Sequence, residues 1–240
     1  MRCPLRGNQE GGVRVSQNIL VVYKKNFEDV HDEALEIVKN TLDGISNNIE
    51  IMVNYSAREK VSREDFIGRD LVVVLGGDGT LTSIAHSVDE NTPVMGVNSH
   101  PRDTDNDGSY GFYMGSDPIN FREDILKALS NEAIVNILPR LQAEISTTSG
   151  NVIRSDPASN DLLLANTHQY QPSKYKLQRK EDGKNSEINC VQYSSGCLFS
   201  TFLGQGAWYR HINNIEGTTF PENEICLLYT SPSPRDVEES

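Results

Sequence analysis

Leu71-Val-Val-Val-Leu-Gly-Gly-Asp-Gly-Thr80 is the stretch on which the reading of this 240-residue chain turns. Leu71 to Leu75 is an unbroken apolar run of β-branched and leucine residues. Such a run suits a strand buried on both faces of a parallel sheet, where alternation is not needed. Gly76, Gly77, Asp78, Gly79 and Thr80 follow, and Leu81 to Val88 then has helical spacing. Glycines between a strand and a helix let backbone N–H groups come close to an anion, and the helix N-terminus adds partial positive charge. Asp78 is out of place in a plain phosphate cradle, since a carboxylate repels phosphate unless it holds a metal or takes a proton. The alternative is a tight turn in which Asp78 caps the helix.

The pattern extends in both directions. Asn18 to Tyr23 reads as a first strand, with Lys24 and Lys25 at the end where ligands of open α/β sheets sit. A helix is expected from Glu28 to Gly44, with Val30, Ala34, Ile37 and Val38 sharing a face and Leu35 and Leu42 beside it. Ile49 to Tyr55 is expected to be a second strand, and Ser62 the start of a short helix with Glu64 and Asp65 in its first turn. Pro93 to Val97 is the strand after the glycine loop, and Phe121 to Leu129 a further helix. Strands alternating with helices predict an α/β fold with a doubly wound parallel sheet.

Beyond about Asn131 the texture changes to short strands. Leu141, Ala143 and Ile145 alternate, and Tyr175 to Gln178 precedes Glu181-Asp-Gly-Lys184, a hairpin signal answered by Ile188 to Tyr193. A mainly β second domain over 131–225 is therefore expected after an α/β domain over 18–130, with 1–17 a loose tail. Residues 226–240 fit neither domain. Leu228 to Asp236 is similar to translated sequencing-adapter read-through, so a non-native tail on a C-terminally truncated chain is expected.

Asp78 and its glycines carry a resemblance. Gly76-Gly77-Asp78-Gly79-Thr80 after a buried strand resembles the signature shared by NAD kinases, diacylglycerol-type lipid kinases and, more distantly, phosphofructokinases. Pro93-Val-Met-Gly-Val-Asn98 resembles the NAD kinase pattern, a second strand ending in Gly-Val-Asn. The Gly-Thr-Gly-Asn-Asp segment of lipid kinases is missing. Gly111-Phe112 stands well downstream of Asn98, as in the mitochondrial and plant NADH-kinase branch with its longer insertions.

Two later stretches also resemble that family. Asn160-Asp161 is similar to its Asn-acid pair, which holds the adenosine part of NAD; an Asx turn after Pro157 is the alternative. Ser195 to Trp208 is similar to its third motif, where Ser200, Thr201, Gly204 and Ala207 match and Gly206 lies in the same loop. Phe202, Leu203 and Gln205 depart from it.

The resemblance implies a fold of two domains with the site in the cleft between them. The implied reaction is phosphoryl transfer from ATP to the 2′-hydroxyl of the adenosine ribose of NAD or NADH. Asp78 would accept or orient the hydroxyl proton. Gly76, Gly77, Gly79, Thr80 and Asn98 would line the nucleotide site with Asn160, Asp161, Ser200, Thr201, Gly206 and Ala207. Mg²⁺ is implied with the ATP, and a homo-oligomer, a dimer, is implied as the assembly. The alternatives are a catalytically impaired nucleotide-binding relative and a lipid kinase of the same superfamily.

Composition sets outer limits. A formal net charge of −12 argues against nucleic acid, whose binding needs clustered Lys and Arg. No apolar run approaches a membrane span. Cys3, Cys190, Cys197 and Cys226 have no metal-ligand spacing, so reduced thiols are expected, and the protein is expected in the cytoplasm, with the mitochondrion as alternative. Asp103, Asp105 and Asp107 begin like an EF-hand loop, but Met114 stands where the closing Glu belongs. No metal site is assigned. Lys24, Lys25 and Arg210 are candidate phosphate contacts, with solvated surface charge as the alternative. Trp208 reads as packing. The five histidines (His31, His86, His100, His168, His211) show no pair at ligand spacing and receive no role.

Overall fold

The computed structural model describes residues 16–25, 29–102, 106, 108–168, 170–181, 184–187, 191–206, 208–209 and 226–229. Its contacts divide the chain into two units, 1–137 and 138–240.

The first unit is built on β1 (Gln17–Tyr23), β2 (Ile51–Ala57), β3 (Leu71–Gly76) and β4 (Val94–Asn98), paired in parallel in the order β2-β1-β3-β4. All six residues of β3 are buried, as its unbroken apolar run requires. Two clusters of side chains cover the two faces. Ile19, Val21, Val73 and Leu75 pack with α1 (Asp29–Ser46) and α3 (Phe121–Leu129). Leu20, Val22, Val72 and Val74 pack with Phe66 of a 3₁₀ turn (Arg63–Phe66) and Ile84 of α2 (Asp78–Ile84). Successive β residues point to opposite faces, so helices on both sides make the sheet doubly wound. Each fully buried Val or Leu here contributes about 1.5–3 kcal/mol of hydrophobic stabilisation.

Several local expectations are corrected. α1 continues past Gly44 to Ser46, because Leu42 and Ile45 both reach the core. Its buried face is His31, Ala34, Leu35, Val38, Leu42 and Ile45, while Val30 and Ile37 are over 40% exposed, at 41% and 44%. α2 stops at Ile84 instead of running to Val88. β1 begins at Gln17, and β2 lies at Ile51–Ala57, two residues beyond its expected span. The turn after Ser62 is a 3₁₀ turn closed by a capping box between Ser62 and Asp65.

The second unit is a set of small antiparallel pairings. β5 (Glu144–Ser146) pairs with β6 (Val152–Arg154), and both are exposed at every position. Next in the chain come β7 (Asp161–Leu164), β8 (Ser173–Tyr175), β9 (Gln178–Glu181) and β10 (Lys184–Glu187). They are followed by β11 (Gln192–Ser194), β12 (Cys197–Ser200) and β13 (Cys226–Tyr229). β9 and β10 pair antiparallel, as the expected hairpin requires. β8 takes β11, so the strand returning from the hairpin pairs at Gln192–Ser194. β12 is the centre of a three-stranded sheet between β7 and β13. The expected run at 141–145 is reduced to a bridge from Leu141 to Ala158 and the three residues of β5.

Candidate nucleotide site and family

β1 sits between β2 and β3, so the chain leaves β1 one way and returns on its other side. At such a switch point the C-terminal ends of the strands diverge and leave a crevice for ligand. Lys24 follows β1 there, and its backbone N–H donates to Leu75 O at 3.0 Å. Gly76 closes β3, and Gly77 to Thr80 follow at the same end.

The glycines are required for different reasons. A Cβ on Gly76 would collide with Thr80, which is 2% exposed and has no room to retreat. A Cβ on Gly77 would stand 2.8 Å from Ser109 Oγ. A Cβ on Gly79 would enter open space, so its bare backbone faces outward. Gly77 is the N-cap of α2 and Asp78 is its first residue, so the capping role for Asp78 is corrected. The Asp78 carboxylate turns back toward the loop that follows β4. Its Oδ1 accepts the backbone N–H of Tyr113 at 2.8 Å, and its Oδ2 accepts the Ser109 hydroxyl at 3.4 Å.

Asn98 ends β4 and is buried. Its Nδ2 donates to Ser109 O at 3.1 Å and its Oδ1 accepts the His100 N–H at 3.2 Å. In this structure its amide therefore pins the loop. A polar cleft of about 500 Å³ opens beside this residue, walled by Arg102, Ser109, Tyr110, Ser116 and Asp124 among others; Asp78 is not in its wall. The Arg102 guanidinium lies 4.2 Å from the centre of the Tyr110 ring.

His31 and Ser99 were invisible to the sequence reading. Both are buried, and a His31 ring nitrogen and the Ser99 hydroxyl are 2.7 Å apart. Ser99 N–H in turn donates to Gly76 O at 3.0 Å, which ties the first turns of α1 to the glycine loop. Ser109 and Tyr113 were also missed. They lie 31 and 35 residues from Asp78, and no local pattern marks them.

In the second unit the structure brings Asn160, Asp161, Ser200 and Thr201 together. β7 and β12 align Asp161 with Ser200. Thr201 N–H donates to Asn160 O at 2.9 Å, its hydroxyl donates to Ser159 O, and Gly204 N–H donates to the Thr201 hydroxyl at 3.2 Å. Gly204 lies so close to Asn160 O and Ser200 Oγ that no Cβ fits. Asp161 Oδ1 is buried with no hydrogen-bond partner among the described residues. Burial raises the Asp161 carboxyl pKa, and hydrogen bonds from Ser200 and the Trp208 backbone pull it part of the way back. Gly206 ends the 3₁₀ turn Phe202–Gly206 that begins just after Thr201. Trp208 is half exposed, which does not fit the packing role expected for it. Ala207, Arg210, His211, Asp103, Asp105 and Asp107 lie outside the described residues. No group of His, Cys, Asp and Glu suited to a metal occurs among the described residues, and no helix there is long and apolar enough to cross a membrane.

A doubly wound sheet whose glycine loop carries an acid at the switch point is an α/β arrangement with a crevice suited to a nucleotide. Residues 21–133 match the family model of the ATP-NAD kinase N-terminal domain. Over these residues the chain is similar to NAD kinases. It is 25% identical over 243 residues to a probable NADH kinase of Oryza sativa subsp. japonica, covering 95% of this chain and 70% of the relative. It is 29% identical over 140 residues to an NAD kinase of Pseudomonas fluorescens, covering 58% of this chain and 43% of that one. The chain thus spans between under half and about 70% of the length of these two relatives. Its fold matches the crystal structure of yeast NADH kinase complexed with NADH at a TM-score of 0.63 and 18% identity, over 90% of this chain and 66% of that one. The lipid-kinase alternative is not favoured by these matches.

Proposed function

We propose that this protein is an NAD(H) kinase, transferring the γ-phosphoryl group of ATP to the 2′-hydroxyl of the adenosine ribose of NAD or NADH. The observation that carries the reading is Asp78: a carboxylate at the first position of α2, on a glycine loop at the switch point of the sheet. The match to the ATP-NAD kinase N-terminal domain supports it, and so does the likeness to NAD and NADH kinases.

The ribose 2′-oxygen attacks the γ-phosphorus, the bond from that phosphorus to the β,γ-bridging oxygen breaks, and ADP leaves. The proton of the attacking hydroxyl passes to the Asp78 carboxylate. Gly77 and Gly79 offer backbone N–H groups to phosphate oxygens. Asn160 and Asp161 hold the adenosine part of the dinucleotide, with the carboxylate suited to a ribose diol. Mg²⁺ would enter on the ATP phosphates and neutralise their charge. Cytoplasmic location, with the mitochondrion as alternative, and assembly as a homodimer are part of the same proposal; fractionation and sedimentation test them.

The test is NADP(H) formation from ATP, Mg²⁺ and either NAD or NADH, run beside Asp78→Asn. Product from wild type and none from the variant is expected, and the faster acceptor gives the preference. Nucleotide binding without turnover by wild type would replace this reading with that of a non-catalytic binder.

A further inference from the structure

Ser109 has a hydrogen-bond arrangement that leaves its proton one destination. A serine hydroxyl has one proton to donate and two lone pairs. Ser109 Oγ accepts the backbone N–H of Gly111 at 3.2 Å and that of Asp78 at 3.4 Å. With both lone pairs facing amides, the proton points to Asp78 Oδ2 at 3.4 Å. The same carboxylate is held from its other oxygen by the Tyr113 N–H at 2.8 Å. Two donors on two oxygens define the plane of the carboxylate and leave its remaining lone pairs for an incoming hydroxyl.

Ser109 is itself held firmly. Its N–H donates to His100 O at 2.8 Å, and its carbonyl accepts from Arg102 N at 2.9 Å and Asn98 Nδ2 at 3.1 Å. Two glycines make the approach possible. A Cβ on Gly77 would crowd Ser109 Oγ at 2.8 Å. Gly111 has φ +66°, a left-handed conformation that suits glycine, and a Cβ there would stand 2.6 Å from Asn98 Nδ2.

We propose that Ser109 is a positioning residue for phosphoryl transfer, acting through Asp78, and that Asn98 acts one step further back by holding Ser109. This rests on the kinase reading above. The contacts to Asp78 are long for hydroxyl hydrogen bonds, and such contacts commonly shorten when substrate completes a site.

The test compares wild type, Ser109→Ala and Ser109→Thr by steady-state kinetics, thermal melting and crystal structures. In Ser109→Ala the kcat is expected to fall by about tenfold, the effect of one lost hydrogen bond on a reacting group, with KM for both nucleotides and the melting temperature little changed. Ser109→Thr keeps the hydroxyl and is expected to restore most of the rate. The Asp78 carboxylate is expected to rotate away in the Ser109→Ala crystal structure and to stay in place in Ser109→Thr. Wild-type kcat in Ser109→Ala with an unmoved Asp78 overturns the proposal. If wild type itself makes no NADP(H), the kinase reading fails separately. The crystal structures then still decide the positioning, because a carboxylate unmoved by Ser109→Ala overturns it and a released one upholds it.

Discussion

The loop at Gly76–Thr80 and the cluster at Ser159–Gly204 are built on opposite plans. The first grows out of a strand buried at all six positions and flanked by parallel neighbours. The second joins the ends of two short antiparallel strands, one of them, β7, exposed at Leu163 and Leu164. In the first, the core holds the backbone and only the acid's orientation is left to the loop after β4. In the second, the site's own hydrogen bonds hold it: Thr201 to Asn160 and Ser159, and Gly204 to Thr201. Chemistry that needs an atom placed within a few tenths of an ångström belongs on the first plan. Recognition of a flat, hydrogen-bonding base or sugar tolerates the second.

This contrast makes predictions. The largest effect falls on chemistry: Asp78→Asn is expected to lower kcat by at least about 10²-fold while nucleotide binding, read by calorimetry, changes little. A parallel loss of binding would mean that Asp78 shapes the pocket instead of serving the reaction. Next is Gly204→Ala, whose Cβ meets the immovable carbonyl of Asn160. It is expected to cost about 1–3 kcal/mol in denaturant unfolding and to weaken NAD(H) binding. Gly76→Ala should cost a comparable amount, since its Cβ meets the buried Thr80 side chain. Unlike Gly204→Ala, it should act on the first unit, which hydrogen exchange can resolve.

Asp161→Asn tests the electrostatics of the second cluster. The Asp161 pKa is raised in the folded protein, chiefly by burial. Protonated carboxyl is therefore favoured by folding, and stability is lost as pH rises from the unfolded value, about 4, through the higher folded one. Replacing the acid by a neutral amide should relieve that cost. Melting curves are expected to show Asp161→Asn gaining on wild type at neutral pH, the gain shrinking toward about pH 4. A gain independent of pH would mean that its cause is not the charge. The smallest stability effect is expected for Gly79→Ala, within about 0.5 kcal/mol of wild type, because its Cβ enters open space. Its rate should nonetheless fall if phosphate approaches that backbone, so the split between stability and kcat is the informative result.

The sheet and α3 were legible because their signals are local. A short β-branched apolar run closed by glycines reads as a buried strand, and Phe121 and Ile125, four apart, fall on one helix face and are both fully buried. α1 was legible as a helix but its face was misread. Val30 and Ile37 are as apolar as their neighbours, and only packing on the sheet and α3 turned the helix so that they face outward. His31 took a buried place instead, made tolerable by its bond to Ser99. In the second unit the strands are three or four residues long, too short for periodicity to fix their limits or partners.

What the amino-acid sequence determined by itself is the order strand, glycines, acid, helix, and with it the fold class and the family resemblance. Those depend on neighbours within a few residues, where backbone sterics and burial period leave few options. Only the tertiary structure decided what touches the acid. Ser109 and the Tyr113 N–H reach Asp78 because Asn98 fastens the loop after β4, and Asp161 meets Ser200 because β7 pairs with β12. Hydrogen bonds across 31 to 39 residues of chain depend on the path of a loop or the register of a strand pair, and no short window of sequence contains either.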